Sequence, residues 1–417
     1  MNARILFTAT IFLYTSYLLL ANNSDLKTNH STDKRPAVMV WNYDHMLNVR
    51  KSLQNNENTY QLPYAKLIKE AKLILDEKAV AVTDKPDYKI ARSGDKHDFI
   101  SVSKYAWPNP DTEDGFPWVY VDGIINEENF SKDDAVRLDK MTSRVSKLCL
   151  AYFFSGDNRF AEKAVELSRV WFIDPSSRMN PNLTYAQVIP GVDKDMGHPP
   201  GIIFGRNFIY VLAGLSLLQE SPAYTSDFQI KIKNWFSEYF IWLTTSEAGD
   251  IVDKMPNNHS IAYDEQLLAI ALFTGDTISA KKIVSDFFPR RIAMQVEPDG
   301  RMPHELSRNR ALGYSAFNIK NILEFCEMAR DLNPNLFFEK TVDNKCIGKS
   351  IDFIAAYPGK TVADFSPYQQ IADWEKSVEE VCWILKWAHN FNNSSNYLSK
   401  FKEHLISEEG NINFMLY

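Results

Sequence analysis

The sequence predicts an all-α protein, an incomplete (α/α) toroid built from helical hairpins in a single domain. Three observations carry that prediction. Apolar residues recur at helical spacing through most of the chain, and hardly a stretch reads as a strand. The segment Ala151-Tyr-Phe-Phe-Ser-Gly-Asp157, followed by Ala161 and Lys163, is echoed by Ile270-Ala-Leu-Phe-Thr-Gly-Asp276, followed by Ala280 and Lys282. Each copy reads as a helix closed by a left-handed Gly, then Asp as the N-cap of the next helix. Repeated hairpins bury their apolar faces on neighbouring hairpins, which gives a toroid or solenoid. An irregular helical bundle is the plainer alternative. Finally, no Gly/Ser-rich or Pro-rich linker interrupts the chain after about residue 37, so its 417 residues read as one domain spanning 38–417, although that length allows two or three.

In chain order, helices are expected over Tyr64–Val82, Asp133–Phe154, Arg159–Phe172, Gly205–Leu218, Asp227–Leu243 and Ser260–Phe273. They continue over Ile278–Phe288, Ala311–Ala329, Ile351–Ala356, Gln369–His389 and Tyr397–Leu405. Irregular stretches separate some of them: Asp98–Asn126, Asp174–Pro200 and Gly249–Asn258. Loops this long inside a compact domain are usually functional.

Residues 1–21 read as a signal peptide. Arg4 precedes an apolar run from Ile5 to Leu20 that is short for a bilayer span, and Ala21 supplies a small residue at the cut. A single membrane anchor is the alternative, and a polar tail, 22–37, follows. No Cys follows the apolar run, which argues against a lipoprotein, and the rest of the chain holds no second apolar span. A soluble monomer, periplasmic or secreted, is expected. Cys149, Cys326, Cys346 and Cys382 are far apart, and the sequence does not assign pairs among them; Cys149 and Cys382 sit in apolar helical runs and read as core.

The net charge is −7, from 46 basic and 53 acidic residues with no long basic run, so a nucleic-acid partner is not expected. A polyanionic ligand would need a locally basic cleft. The chain lacks a GxGxxG after a strand, a P-loop, a GxSxG elbow, an HExxH and any His/Cys grouping at metal spacing. No metal and no cofactor are expected.

Two polar constellations remain. Asn257-Asn258-His259-Ser260 stands at a helix start, where two amides and an imidazole gather donors and a group titrating near neutrality. The bland reading makes Asn258 a helix cap and His259 a surface or core residue. The second is Glu305-Leu-Ser-Arg308-Asn-Arg310, ahead of Tyr314. Two arginines beside a tyrosine suit recognition of a carboxylate near a phenolic hydroxyl; the bland reading is a surface ion pair from Glu305 to Arg308 or Arg310. On one continuous helix Arg310 and Tyr314 would share a face; a helix starting near Ala311 leaves Arg308 unconstrained. Together the two constellations fit β-elimination from a uronic acid polymer, which needs a neutralised carboxylate, a base for the adjacent proton and an acid for the departing oxygen. A Tyr acting as base needs a depressed pKa, which nearby Arg308 and His259 would supply.

With these motifs the sequence resembles the alginate lyase superfamily of polysaccharide lyases, including families 5 and 17, and most closely the single-domain family 38 alginate and glucuronan lyases. The likeness runs through Gly94-Asp-Lys-His97-Asp98, Tyr105-Ala-Trp107-Pro-Asn-Pro110, Trp171-Phe-Ile-Asp174 and Arg178-Met-Asn-Pro-Asn-Leu-Thr-Tyr185-Ala-Gln187, then Asn257-Asn-His259 and Glu305-Leu-Ser-Arg308 ahead of Tyr314. It implies the toroid with an elongated cleft that binds an anionic polysaccharide, alginate or another polyuronate. It also implies that Asn258 and Arg308 hold the carboxylate, that Tyr314 protonates O4 and is also the base for some epimers, and that His259 is the base for others. Tyr185 and Gln187 become binding candidates, followed by His198 and Arg206, with Asn257 and Arg310 beside the motifs. Family 5 members often carry a His beside this Tyr and an Arg seven residues before it; Gly313 and Ser307 stand there, leaving Arg308 and Arg310 both open for the carboxylate. Two other classes fit less well: a toroidal glycoside hydrolase using an acid such as Glu305 or Asp264, and a catalytically silent glycan-binding protein.

Overall fold

The computed structural model describes residues 35–130, 133–405 and 410–417. The segment read as a signal peptide and most of the polar tail lie outside these residues; the Arg35 guanidinium pairs with the buried Glu327 at 3.0 Å. Arg35–Tyr417 form one compact unit.

The principal helices are α1 (Tyr43–Gln54), α2 (Gln61–Leu75), α3 (Asp134–Ser155), α4 (Asn158–Phe172), α5 (Phe208–Ser216), α6 (Ser226–Thr245), α7 (Glu247–Asp253), α8 (Asn258–Thr274), α9 (Thr277–Phe287), α10 (Pro303–Leu306), α11 (Ala311–Ala329), α12 (Ile347–Ile354), α13 (Trp374–Asn392) and α14 (Ser395–His404). They form two layers. α3, α5, α8, α11 and α13 pack one on the next as an inner arc, and α4, α6, α9, α12 and α14 pack against it from outside. Inner helices are buried nearly all round: every residue of α8 from Ser260 to Ala271 is buried, so its polar members need partners. Asp264 pairs with Arg291, Glu265 with Arg206, and Gln266 accepts from Tyr239. The C-terminal segment ties α13 to α1: the rings of Trp387 and Tyr417 lie 4.4 Å apart, and the Asn42 N–H donates to the Leu416 carbonyl. The all-α toroid is therefore as expected.

The repeated hairpin is built as read. Gly156 and Gly275 are left-handed (φ 72° and 88°), and Asp157 and Asp276 accept from the first turn of the following helix. Other boundaries differ. α1 was not expected; Asn42 caps it. α2 stops at Leu75, not Val82, because the acidic Asp76 and Glu77 oppose the negative end of the helix. The helix expected from Gly205 is 3₁₀ over Pro199–Asn207 and α-helical only from Phe208. The Gly249–Asn258 stretch contains α7, capped by Ser246. The helix expected from Gln369 starts at Trp374, because Gln370 is drawn away to accept from the Leu312 and Gly313 N–H groups at the start of α11.

The two long loops also hold short strands. β1 (Ile100–Val102) pairs in parallel with β4 (Tyr185–Val188), and β2 (Ala106–Trp107) pairs antiparallel with β3 (Val119–Tyr120). The β1–β4 ladder clips the loops together over the inner arc. All four cysteines are free; Cys149, Cys326 and Cys382 are buried. Among the described residues no helix is long and apolar enough to cross a membrane.

Candidate active site

A cleft of about 730 Å³ opens where the clipped loops meet the starts of α8 and α11. Asn257 caps α8 by accepting from the His259 N–H at 3.2 Å, so the cap is Asn257 and not Asn258. That frees Asn258, 1% exposed, to face Glu305 of α10, also 1% exposed. The Asn258 backbone N–H and Nδ2 each donate to one Glu305 carboxylate oxygen at 2.7 Å. Burial raises the Glu305 carboxyl to about 7, although both Asn258 donors and Arg308 oppose the rise. His259, beside Asn258, is half-buried in the cleft wall. Desolvation first, then the charges of Arg308 and Lys104, lower its imidazole to about 4, so it stands neutral.

Across the cleft α11 begins at Ala311, which leaves Arg308 in the preceding turn. Its guanidinium lies 4.0 Å over the Tyr314 ring and donates to the Tyr314 hydroxyl at 2.9 Å. Asp122 grips the same guanidinium at 2.5 and 3.2 Å. The Tyr105 hydroxyl, from the loop between β1 and β2, lies 3.0 Å from that of Tyr314. Burial and Tyr105 raise the Tyr314 hydroxyl far above its ordinary value, and Arg308 does not reverse this. The expected depression is thus absent: the phenol is desolvated, and His259 carries no charge to help. A protonated tyrosine and a neutral histidine face one cleft, each in the form suited to an acid and a base.

Arg310 also lines the cleft but is engaged by Asp373 at 2.5 Å and by the Gly123 carbonyl at 3.0 Å. The structure therefore puts Arg308, rather than Arg310, against Tyr314. Gln187 lines the cleft at φ 58°, its N–H held by Ser101; Asn257 and His198 line it too. Tyr185 does not; it sits in β4, one strand residue from the buried Ala186. Arg206 forms part of the floor, but its guanidinium is committed to Glu265 at 3.0 Å and to Glu324, with Tyr210 at 3.3 Å, and is a buried tie between inner helices. Asp264 is locked to Arg291, and neither it nor Glu305 lines the cleft, so the two acids named for the hydrolase reading do not face a substrate there.

Four buried polar atoms of cleft residues lack a hydrogen bond within 3.5 Å: Asn258 Oδ1, His259 Nδ1, Arg310 Nε and His198 Nε2, the last with Asp193 at 3.8 Å. Such atoms are rare in folded proteins, and at a cleft they are open to a catalytic role or to a bound water or ligand. Six cationic side chains (Lys104, Arg206, Arg308, Arg310, Lys320 and Lys376) line the cleft against the carboxylates of Asp373 and Glu380, which makes it locally basic in an acidic chain. Among the described residues there is no group of three or more His, Cys, Asp or Glu fit to hold a metal. Sequence reasoning missed Tyr105 and Asp122 as site residues, and saw Glu305 as a surface ion-pair partner or a hydrolytic acid. The Tyr105-Ala-Trp107 motif in an over-long loop was the available signal; Asp122 offered none beyond the turn at Gly123.

The alginate lyase family model matches residues 81–365. The chain belongs to the alginate lyase family. It is a polysaccharide lyase, and the span matched holds every residue of the constellation. It is similar to the crystal structure of an alginate lyase from Bacteroides ovatus, at 35% identity and a TM-score of 0.88, covering 92% of this chain and 99% of that one. The alginate lyase A1-III of Sphingomonas species A1 shares the fold at 12% identity and a TM-score of 0.56, covering 94% and 99%. A histidine variant of A1-III in complex with a tetrasaccharide matches at the same identity and TM-score, covering 86% and 97%. No curated protein sequence matches the chain.

Proposed function

We propose that this lyase cleaves a polyuronate, alginate foremost and glucuronan as the second choice, by β-elimination. The observation that carries the reading is the Arg308 guanidinium 2.9 Å from the protonated Tyr314 hydroxyl, across one basic cleft from neutral His259. Arg308 and the Asn258 amide hold the uronate carboxylate and draw charge from it, which acidifies the adjacent C5 proton. His259 takes that proton. The C5–H electron pair becomes the C4–C5 double bond, the C4–O4 bond breaks, and Tyr314 gives its proton to O4. The phenolate left behind is stabilised by Arg308 and by the Tyr105 hydroxyl, and is reprotonated when the imidazolium releases its proton. The likeness to alginate lyases supports the substrate, and the charge of the cleft supports a polyanion. The character of residues 1–21 supports action outside the cytoplasm.

The test is incubation with alginate blocks, glucuronan and glycosaminoglycans, with and without chelator, followed by the ultraviolet absorbance of the conjugated product. A rise on alginate or glucuronan is expected, unaffected by chelator; no rise on any polyuronate would overturn the reading.

A further inference from the structure

Glu305 is outside the cleft lining, yet it joins the two halves of the site. It sits on α10, three residues before Arg308, and its two oxygens meet the Asn258 backbone N–H and Nδ2 at the start of α8. The groups acting on its charge are Asn258, from α8, and Arg308, from the turn after α10; no ion pair to it forms among the described residues. In this arrangement Nδ2 is turned to Glu305, and Oδ1 is buried without a partner. An orphaned oxygen is the wrong end of an amide to offer an anionic substrate.

A proton on the Glu305 oxygen facing Nδ2 reverses the arrangement. Two donors would then oppose each other, and the mismatch is relieved by turning the Asn258 amide half a turn, so that Oδ1 accepts from the new O–H. The NH₂ group then takes the place of the orphaned oxygen. The other Glu305 oxygen still accepts from the backbone N–H, so the grip on α8 is kept.

We propose that Glu305 is a positioning residue whose proton decides which end of the Asn258 amide meets the substrate, and that binding a uronate carboxylate draws a proton from solvent onto it. The proposal rests on the polyuronate reading above. Burial that raises the Glu305 carboxyl to about 7 leaves both forms accessible near neutral pH. A Gln side chain can reproduce the protonated form, its oxygen accepting from the backbone N–H and its NH₂ donating to Oδ1. A Leu side chain reproduces neither.

The experiment is titration calorimetry of a short alginate oligomer at pH 8, in buffers of different ionisation enthalpy, with a Tyr314→Phe background to stop turnover. Net proton uptake is expected in that background and none when Glu305→Gln is added. Uptake that persists with Glu305→Gln would assign the proton to another group such as His259, and no uptake in either protein would mean that no protonation accompanies binding; each overturns the proposal. In the otherwise native chain, Glu305→Gln should keep kcat within about threefold, whereas Glu305→Leu, which strands two buried donors, should lose about 10- to 100-fold. Equal losses in the two variants would contradict the proton's role. The oligomer titration needs no folded Glu305 variant to show uptake. Failure of the wild-type chain to cleave any polyuronate would overturn the underlying reading, whereas cleavage without proton uptake overturns this proposal alone.

Discussion

The hydroxyls of Tyr105 and Tyr314 lie 3.0 Å apart, and Arg308 donates to the second of them from 2.9 Å. Tyr314 thus has two donors ready for the phenolate that follows proton transfer. Replacing Tyr105 by Phe removes one hydrogen bond of ordinary strength, for which kcat should fall about tenfold with KM little changed. Steady-state kinetics on alginate check this, and an unchanged kcat would show that the contact plays no part in turnover.

Arg308→Lys should cost more, because an ammonium cannot hold Asp122 through two bonds while lying flat over the Tyr314 ring. The kcat/KM is expected to drop about 100-fold, by analogy with loss of one preorganised donor to developing charge. Arg310→Lys, whose partner is Asp373, should change kcat far less.

Fold and chemistry were legible in the sequence to different depths. The hairpins were readable because Gly156-Asp157 and Gly275-Asp276 are local signals, each a left-handed stop followed by a cap. Asn258, His259, Arg308 and Tyr314 were readable as short motifs. Asp122 was not, and the motif holding Tyr105 did not show its role, since each reaches Arg308 or Tyr314 across more than 180 residues, and only the folded loop creates the contact. The direction of the Tyr314 shift was misread for a related reason: neighbouring charges are visible in a sequence, whereas desolvation is a property of the packed cleft.

Arg206 should behave as a structural residue. Arg206→Met leaves Glu265 and Glu324 buried without their shared cation, and breaking such a tie costs about 3–5 kcal/mol. Urea unfolding should show that loss. A normal unfolding midpoint with a raised KM would return Arg206 to the list of substrate contacts.

Two groups set opposite pH dependences. His259 in the fold titrates at about 4, below its ordinary value of 6.5, so its contribution to stability is fully present above 6.5 and is lost as pH falls toward 4. Glu305 is raised from 4.5 to about 7, so its contribution is full below 4.5 and is lost as pH rises through 7. Glu305→Gln should therefore raise the melting temperature at pH 8 relative to the native chain and show no such gain at pH 4; His259→Gln should reduce the loss of stability between pH 6.5 and 4. Thermal melts from pH 4 to pH 8 check both signs. Kinetically, kcat/KM should hold between pH 5 and 6.5, because His259 remains a neutral base there.

The central claim is that Tyr314 supplies the proton that releases the sugar. The direct measurement compares the native chain with Tyr314→Phe on one alginate sample, following unsaturated product by ultraviolet absorbance and oligosaccharide affinity by calorimetry. The account predicts that Tyr314→Phe loses at least about 100-fold in kcat, the scale of a missing general acid, while its affinity stays within a few-fold. Turnover at the native rate in that variant, or products with saturated ends from the native chain, would contradict it.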